Sequence, residues 1–315
     1  MVGSADLVSA GVDLGGMGSR FVIVAEGAVI AQTMVPTQEL GAGPPEERVS
    51  RLATILTSLV PEGRRLSGVG VGASGPVELP RGIIRNPDTL PWFSGFDLAG
   101  RLEARLGAPV VIDNDAVTAA LGEYRYGAGR GFGRVLVITL GTGIGAAFLS
   151  DGRPFRDRNG QHPECGHLPV LPGGERCYCG LIGCWETVAC RASLEARLER
   201  ALGCRDLGQV EQLLRAGTHP GLEPVFSDYG HAVGRGVEIL NVTYSPQHVV
   251  MCGSVSRFLP YFIQGLRAEL ERAPGFRAEL SVVESGLGDV AGAVGASVLP
   301  DGAHRAGYEP CLTER

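Results

Sequence analysis

Two polar residues, Asn114 and Asp115, stand where an apolar run gives way to small residues. The run at residues 109–112 predicts a short buried strand and residues 116–123 predict a helix, so the two polar residues lie at a strand-to-helix corner. The positive end of the helix dipole favours an ionised carboxylate, which is the form that a proton acceptor needs. Asp115 is therefore a candidate general base, and an ordinary helix N-cap is an equally good interpretation of these residues alone.

Two glycine-rich turns, each between apolar runs, recur about one domain apart. The first contains Asp13, Gly15, Gly16 and Met17, and the second contains Gly141, Thr142 and Gly143. Glycine adopts positive φ and lets backbone N–H groups approach an anion, while Asp13 can hold a hydrated cation. One such turn is more typical of a simple hairpin, but the repeat indicates a duplicated chain whose hairpins can face each other across a cleft. Neither turn matches a P-loop or a dinucleotide fingerprint.

Strand and helix patterns alternate along the rest of the chain, which predicts a mixed α/β fold. Helices are predicted at residues 48–60, 98–106, 194–214, 225–240, 259–272 and 286–296, and strands at residues 66–72 and 249–252. The last helix is rich in small residues, which suits close packing, and the residues after Pro300 are expected to form a loose end. Asn86 begins a Pro-rich loop, where it can either face a polar ligand or form a turn.

The cysteines are unevenly placed, because three of the eight lie within a span of eight residues. These are Cys177, Cys179 and Cys184, and Gly180 and Gly183 between them allow tight turns. With one imidazole from the segment at residues 162–167, the three thiolates make a closed tetrahedral zinc set. Buried thiols without a metal are the alternative, but chance rarely places cysteines together beside glycines. The other five cysteines lack such neighbours and are expected to be small apolar residues.

Two carboxylates, those of Glu164 and Glu186, lie close to the two ends of this set. A bound metal would therefore hold both of them in place. Carboxylates that are held rigidly suit vicinal hydroxyl groups, since each oxygen accepts a hydrogen bond from an O–H group. The pattern indicates a binding site for a ligand with several hydroxyl groups.

The composition excludes several classes of protein. A net charge of −6 and a pI of about 5.6 argue against a nucleic-acid binder. All 28 basic residues are arginine, so a Walker lysine, a Schiff-base lysine and a protein-kinase lysine are excluded. With no basic leader and no apolar stretch of about 18 residues, the chain is expected to be cytoplasmic, without a membrane partner. Its 315 residues are enough for two domains.

Five motifs, in the same order, resemble the ROK family of bacterial sugar kinases and repressors, from about residue 10 to residue 298. They are residues 13–16, 114–116, 140–145, 164–167 and 177–186. The last of these, with its three cysteines, is highly specific. The resemblance implies two actin-like (ribonuclease H-like) α/β domains around a central cleft, with a structural zinc loop. It also implies ATP and Mg²⁺ at the glycine hairpins and a hexose deep between the domains.

The resemblance implies roles for the matching residues, with Asp115 as the catalytic base. The implied sugar contacts are Gly75, Asn114, Asp115, Glu164, His167 and Glu186, to which we add Asn86. The expected contacts of ATP and Mg²⁺ are Asp13, Gly15, Gly16, Met17, Gly141, Thr142, Gly143 and Gly253. The implied zinc ligands are His167, Cys177, Cys179 and Cys184. His167 can use one ring nitrogen for the metal and the other for a sugar hydroxyl group.

The chain departs from the family pattern in three places. Met17 stands where Thr is usual and Gly18 stands where Lys is common, so the first hairpin keeps its backbone donors but loses a hydroxyl group. Ser74 replaces a usual Pro. Residues 162–163, His and Pro, are more similar to the family's fructokinases than to its glucokinases.

The residue patterns and the family resemblance together imply domains and an activity. We expect a small N-terminal domain at residues 1–117 with a C-terminal helix at 286–300 packed back on it, a large domain at 118–285 and a tail at 301–315. The expected activity is ATP-dependent phosphorylation of a hydroxyl group, preferably the primary one, of glucose, fructose, an amino sugar such as 3-amino-3-deoxyglucose, or a C7-cyclitol. A sugar-binding sensor without catalysis is the alternative, which Met17 favours and the retained Asp115 and the lack of a DNA-binding extension oppose. The resemblance also favours a homodimer or homotetramer.

Overall fold

The computed structural model describes residues 6–217, 221–272 and 280–302. Within these ranges the chain forms twelve strands and ten α-helices. The strands are β1 (Leu7–Leu14), β2 (Gly18–Ala25), β3 (Ala28–Pro36), β4 (Arg65–Ala73), β5 (Val77–Glu78), β6 (Ile83–Ile84), β7 (Val110–Asn114), β8 (Arg134–Leu140), β9 (Ile144–Ser150), β10 (Arg153–Pro154), β11 (His248–Cys252) and β12 (Ser281–Glu284). The helices are α1 (Thr37–Gly41), α2 (Pro45–Leu59), α3 (Leu98–Leu106), α4 (Asp115–Tyr126), α5 (Trp185–Ala189), α6 (Arg191–Leu202), α7 (Leu207–Arg215), α8 (Leu222–Tyr244), α9 (Leu259–Leu270) and α10 (Ala291–Ala296).

Two five-stranded sheets have corresponding strand orders. The first is β3-β2-β1-β4-β7 and the second is β10-β9-β8-β11-β12. In the first sheet β2 is antiparallel to β1 and β3, whereas β4 is parallel to β1 and β7. In the second sheet β10 is antiparallel to β9, and β12 is parallel to β11. The predicted mixed α/β fold is confirmed, and the repeated strand order matches the duplication that the two glycine hairpins indicate.

The glycines of β1 and β4 allow α10 to lie directly on the first sheet. A Cβ atom at Gly70 would come within 1.7 Å of the Ala296 carbonyl oxygen, and one at Gly11 within 1.8 Å of the Ala293 carbonyl oxygen. Any side chain at these two positions would therefore push the helix away. The small residues of α10 serve the same purpose from the other side, because they let its backbone approach the strands.

The chain divides into two compact units by its internal contacts. The first unit comprises Met1–Val135, Ala147–Pro163 and Gly286–Arg315, and the second comprises Leu136–Ala146 and Glu164–Ser285. The first unit includes α4, because this helix packs along α10 and against β4 and β7. The boundary that the sequence predicts after residue 117 falls inside α4. The first stretch of the first unit instead continues to Val135.

A buried carboxylate, that of Glu123, fixes the end of α4 to the segment before α10. Its Oε2 accepts from the N–H groups of Ala128 (2.8 Å) and Gly286 (3.1 Å), and its Oε1 accepts from the N–H group of Leu287 (3.1 Å). Each backbone donor finds a charged acceptor away from water, which is a favourable arrangement for both partners. The carboxylate thus anchors the start of the C-terminal segment to α4.

One predicted helix, at residues 194–214, is wrong in its extent. The structure has two helices there, α6 and α7. Gly203 ends α6 with a left-handed conformation at φ 66°, which a continuous helix does not allow. Asp206 then caps α7, because its Oδ1 accepts from the N–H groups of Gly208 (2.8 Å) and Gln209 (3.3 Å).

Smaller differences lie at the margins of the sheets and at the C-terminal end. The helix predicted at residues 286–296 is a 3₁₀ turn (Gly288–Val290) followed by α10. Most residues of the edge strand β3 are exposed. Its sequence therefore has no buried apolar run, and the sequence patterns do not predict this strand. Residues 303–315 of the predicted tail lie outside the described residues.

The longest described helix is α8, which packs along α9. Neither α8 nor any other helix in the described ranges combines the length and the apolar character needed to cross a bilayer.

Candidate functional site

The corner at Asn114 and Asp115 joins β7 to α4, as the sequence predicts. The Asn114 Oδ1 accepts from the N–H groups of Ala116 (2.8 Å) and Val117 (3.4 Å), so Asn114 is the N-cap. Asp115 is the first residue of the helix, and its Oδ1 also accepts from the Ala116 N–H group (2.8 Å). The side chain of Asp115 is half-buried, whereas Asn114 is buried. The cap is therefore provided by Asn114, and the carboxylate of Asp115 is not needed for it.

Ser74 and Gly75, which follow β4, lie against this corner. Because β4 and β7 are parallel with Ala73 opposite Asn114, the residues after both strands meet at one edge of the sheet. The Ser74 hydroxyl donates to Asp115 Oδ2 (2.9 Å). A Cβ atom at Gly75 would lie 2.8 Å from the Asn114 side-chain nitrogen, so glycine leaves room for that amide.

Asn86 uses its side chain to hold the same turn. Its Nδ2 donates to the Gly75 carbonyl oxygen (2.8 Å), and its Oδ1 accepts from the Thr89 N–H group (3.1 Å). Its backbone N–H group donates to Ser94 Oγ (3.1 Å). Asn86 therefore lies near the corner, with both ends of its amide engaged within the protein. A direct contact between Asn86 and a ligand stays a prediction.

The residue before the corner, Asp113, forms a buried ion pair. Its Oδ2 lies 2.5 Å from Arg156 Nη2, and the two side chains are only 3% and 12% exposed. The Arg156 Nη1 also donates to the Gly160 carbonyl oxygen (2.8 Å), and Asp113 Oδ1 accepts from the Asn114 N–H group (2.7 Å). The pair thus holds the loop after β10 against the end of β7, one residue from Asn114.

We expect Arg156→Met to lower the free energy of unfolding by about 3–5 kcal/mol, because it leaves the Asp113 carboxylate buried without its cation. Denaturant unfolding followed by circular dichroism measures the change. Arg158→Met is the matched control, since Arg158 is exposed and two residues away; a change of about 0.5 kcal/mol or less is expected there. Equal stability of the two variants would show that the ion pair does not stabilise this corner.

The first glycine hairpin joins β1 to β2 and is fastened through its carbonyl groups. Thr37 Oγ1 donates to the Gly15 carbonyl oxygen (2.6 Å), and the Thr37 N–H group donates to the Met17 carbonyl oxygen (3.0 Å). Gly16 lies against Thr89, whose Cγ2 would be 2.9 Å from a Cβ atom at Gly16. The Met17 side chain is 73% exposed. These contacts occupy acceptors of the hairpin, and the Met17 side chain extends away from the turn into solvent.

Asp13, near the end of β1, lies among other charged groups. The strand register places it opposite Arg20, and Gly292 of α10 lies against its carboxylate. Burial, and after it repulsion from Asp115, raises the pKa of Asp13 to about 7, while Arg20 partly opposes the shift. Burial and the neighbouring charge both destabilise the ionised form of Asp13. A divalent cation would offset the loss of hydration and the repulsion from Asp115, so this carboxylate suits such a cation.

The second hairpin joins β8 to β9 in a different setting. The Arg191 N–H group, at the start of α6, donates to the Gly141 carbonyl oxygen (2.8 Å). A Cβ atom at Gly143 would lie 3.0 Å from Glu186 Oε2, so this part of the turn is close to α5. Thr142, at the tip, is exposed. The hairpin is therefore anchored at Gly141 and open at Thr142.

Gly253, which follows β11, lies beside the second hairpin. A Cβ atom there would be 2.5 Å from the carbonyl oxygen of Leu140, the residue just before the hairpin. The same oxygen accepts from the Val255 N–H group (3.1 Å). The predicted nucleotide contacts that belong to the second unit are thus brought together.

The predicted metal ligands of the second unit also come together. The cysteine cluster consists of His167, Cys177, Cys179 and Cys184, whose ligand atoms all lie within 4.8 Å of one another. The Sγ atoms of Cys179 and Cys184 are 3.5 Å apart, and Cys177 Sγ is 3.6 Å from His167 Nδ1. The three cysteines are free thiols. Thiolates about 2.3 Å from zinc in a tetrahedron are about 3.8 Å apart, so the cluster fits a structural zinc ion.

Two carboxylates are near this cluster, those of Glu164 and Glu186. Among the contacts of the described residues, the Glu186 side chain contacts the cluster and the Glu164 side chain does not. Its Oε1 lies 3.5 Å from both Cys177 Sγ and His167 Nδ1. Glu164 is exposed, and its carbonyl oxygen accepts from the His167 N–H group (3.1 Å). The His167 Nε2 is 3.2 Å from the Tyr178 hydroxyl group. The two ring nitrogens of His167 therefore face different groups. Nδ1 faces Cys177 and Glu186, and Nε2 faces the Tyr178 hydroxyl group.

Two side-chain contacts at the corner could not be predicted from the sequence. Arg156 is 43 residues from Asp113, and Ser74 is 41 residues from Asp115, so no local pattern connects either pair. The one signal for Ser74 is that it replaces the Pro usual in the family. Arg156 gives no signal of its own, because it is one arginine in a chain that uses arginine for every basic side chain.

The chain is similar to proteins of one family over nearly all of its length. The model of the ROK family matches residues 9–302. A glucokinase from Streptomyces coelicolor is 31% identical over 310 residues, which cover 92% of this chain and 96% of that protein.

Two solved structures have the same fold. A ROK hexokinase from Thermus thermophilus has a TM-score of 0.79 and 31% identity, covering 92% of this chain and 97% of that one. A ROK family glucokinase from Streptomyces griseus, in complex with glucose and AMPPNP, has a TM-score of 0.78 and 30% identity, covering 93% of this chain and 98% of that one. With the family model matched and kinases similar in both sequence and structure, the chain belongs to the ROK family, in its sugar-kinase branch.

Proposed function

We propose that the protein transfers the γ-phosphoryl group of ATP to a hydroxyl group, preferably the primary one, of a hexose or hexose-like sugar. The observation that carries this proposal is the placement of Asp115. It is a half-buried carboxylate at the first position of α4, and Asn114 rather than Asp115 caps the helix. Glucose is the first candidate substrate, because the similar proteins from the two Streptomyces species are glucokinases and one of them holds glucose.

Asp115 is the general base in this proposal. It accepts the proton of the attacking sugar hydroxyl group while the oxygen forms a bond to the γ-phosphorus, and the bond from that phosphorus to the leaving oxygen of ADP breaks. Phosphoryl transfer passes through a loose transition state, so positioning and charge stabilisation supply most of the acceleration. The sequence of steps requires no covalent intermediate on the enzyme.

The glycine hairpins are the proposed contacts of the nucleotide phosphates. The proposed donors for anionic oxygens are the backbone N–H groups of Gly15, Gly16 and Met17 in one hairpin and of Thr142 and Gly143 in the other, with Gly253 next to the second hairpin. The Gly141 N–H group donates within its own turn to the Gly143 carbonyl oxygen (3.1 Å), so Gly141 would contribute by shaping the turn. Asp13 would hold Mg²⁺, which neutralises phosphate charge when it is bound. The raised pKa of Asp13 supports this assignment, since a cation stabilises the ionised carboxylate.

The proposed sugar contacts are Gly75, Asn114, Glu164, His167 and Glu186. The cysteine cluster would bind zinc through His167 Nδ1 and three thiolates, which fixes the orientation of the ring. The Glu186 carboxylate lies against the cluster and would be held by it. With zinc bound, the cysteine cluster and the residues around it would therefore present rigid acceptors to sugar hydroxyl groups. The corresponding strand orders of the two sheets support the actin-like architecture that the family implies.

The affinity for MgATP is expected to fall at low pH because of Asp13. Since the pKa of Asp13 is raised to about 7, the metal-free protein binds a proton there below that pH, and the proton must leave before a cation binds. The dissociation constant of MgATP should rise about tenfold per pH unit below pH 7 and become constant above it. Calorimetric titrations across this range measure the dependence.

Asp115→Asn is the matched variant for this experiment, because Asp115 contributes to the shift. Removing its charge should move the inflection to lower pH, whereas the ionisation of ATP itself is the same for both proteins. An inflection at the same pH in both proteins would contradict the placement of Asp13 beside Asp115.

A panel of sugars tests the proposed function. Release of ADP from ATP and Mg²⁺ is measured with glucose, fructose, mannose, N-acetylated hexosamines, 3-amino-3-deoxyglucose and a C7-cyclitol. We expect sugar-dependent release with at least one of them, glucose being tested first. A sugar-binding sensor is the second candidate function, favoured by Met17 in the first hairpin. Sugar binding, seen as a rise in melting temperature, without ADP release from any sugar would establish the sensor and overturn the kinase.

A further inference from the structure

The side chain of Ser74 makes a direct contact with the proposed base. Its hydroxyl group donates to Asp115 Oδ2 at 2.9 Å. The second oxygen, Asp115 Oδ1, accepts from the Ala116 N–H group at 2.8 Å. The carboxylate is therefore held at both oxygens, by a strand end on one side and by its own helix on the other.

Two contacts at different oxygens fix an angle that Asp otherwise leaves free. The terminal torsion of an Asp side chain has a broad energy profile, so one hydrogen bond alone permits the carboxylate plane to rotate. A carboxylate has about four acceptor positions, of which Ser74 and the Ala116 N–H group occupy two. Lone pairs remain on both oxygens of Asp115 for an incoming hydroxyl group.

The turn that carries Ser74 is anchored independently of Asp115. Asn86 Nδ2 donates to the Gly75 carbonyl oxygen (2.8 Å), and Ala73 pairs with Asn114 in the parallel ladder between β4 and β7. The Ser74 hydroxyl group is thus presented by a fixed backbone and does not depend on Asp115 for its own position. This arrangement is preorganised, which is what a supporting contact of a catalytic group needs.

We propose that Ser74 is a positioning residue for the phosphoryl transfer. This inference rests on the proposed function, in which Asp115 takes the proton of the sugar hydroxyl group. Ser74 keeps its own proton throughout; the sugar proton passes to Asp115, the sugar oxygen bonds to the γ-phosphorus, and ADP leaves. The contribution of Ser74 is to orient the carboxylate of Asp115, which family members with Pro at this position must achieve without a hydroxyl group.

Ser74→Ala removes the hydroxyl group and should lower kcat about tenfold, with the KM values for sugar and ATP close to those of the wild type. Ser74→Thr keeps a hydroxyl group and should recover most of the lost rate. Ser74→Cys preserves the size of the side chain with a weaker donor and should give an intermediate rate, which keeps the comparison available even where the alanine variant does not fold.

A double-mutant cycle separates positioning of Asp115 from a structural effect. In the Asp115→Asn background Ser74→Ala should cause no further loss, because the group it orients no longer accepts a proton. Labelled ATP gives the sensitivity that these slow variants need. Wild-type rates in Ser74→Ala and Ser74→Cys, or a full additional loss in the double variant, would overturn the inference while leaving the kinase in place. A wild-type protein that phosphorylates no sugar would overturn the proposed function and this inference with it.

Discussion

Asp115→Asn is expected to lower kcat by about 10²–10⁴ and to leave sugar binding largely intact. The amide has the size of the carboxylate but cannot accept the proton of the sugar hydroxyl group at neutral pH. The fold should be preserved, because Asn114 caps α4 and its two hydrogen bonds to the helix do not involve Asp115. The loss should therefore appear in the chemical step, with kcat and kcat/KM reduced together.

Steady-state ADP release at saturating ATP measures the effect of Asp115→Asn, and sugar-induced thermal stabilisation measures binding. Asp88→Asn is the control, since Asp88 is an exposed residue of the same unit outside the corner. It should behave as the wild type does. An Asp115→Asn protein with near-normal turnover would remove Asp115 from the mechanism.

Metal analysis is expected to find one zinc ion per chain, and Cys179→Ser should lose it. A closed site needs all of its ligands, and structural zinc contributes about 10–16 kcal/mol in small zinc-binding peptides, so one lost thiolate has a large effect. Cys179 is exposed, so the substitution itself disturbs little packing. The segment from His167 to Glu186, which leads into α5, should lose its order, and sugar affinity should fall with it.

Cys204→Ser is the matched control for the zinc site, because Cys204 lies outside the cysteine cluster and is only half-buried. It should retain the metal and the sugar affinity. Protein that is free of zinc and yet binds sugar and turns over normally would rule out a structural zinc ion at His167, Cys177, Cys179 and Cys184.

The strand-to-helix corner could be predicted because its determinants are local. An apolar run, a capping residue and a run of small residues are enough to place β7 and α4. The helix predicted at residues 98–106 has the bounds of α3 in the structure, where Asp97 accepts from the Gly100 N–H group (2.8 Å) and Gly107 ends the helix at φ 65°. The cysteine cluster is similarly local, since three of its ligands lie within eight residues.

Other features could not be predicted, because they depend on residues far apart in the chain or on competing local signals. The hydrogen bond from Ser74 to Asp115 exists only because β4 and β7 are neighbours in the sheet. The ion pair of Asp113 and Arg156 needs the loop after β10 to return to the same place. At residues 194–214 the helical pattern continues through Gly203. A glycine within such a pattern is compatible with a continuous helix as well as with a helix end, and in the structure it ends α6.

Transfer of an isotopic label tests the central claim most directly, because it separates sugar phosphorylation from hydrolysis of ATP. ATP labelled at the γ-phosphate is incubated with Mg²⁺, each sugar of the panel in turn beginning with glucose, and either the wild-type protein or Asp115→Asn, and the sugar is separated and counted. We predict labelled sugar phosphate in amounts equal to the ADP formed by the wild type, and a rate about 10²–10⁴ lower with Asp115→Asn. Label found in inorganic phosphate alone, with no sugar of the panel labelled, would contradict the account.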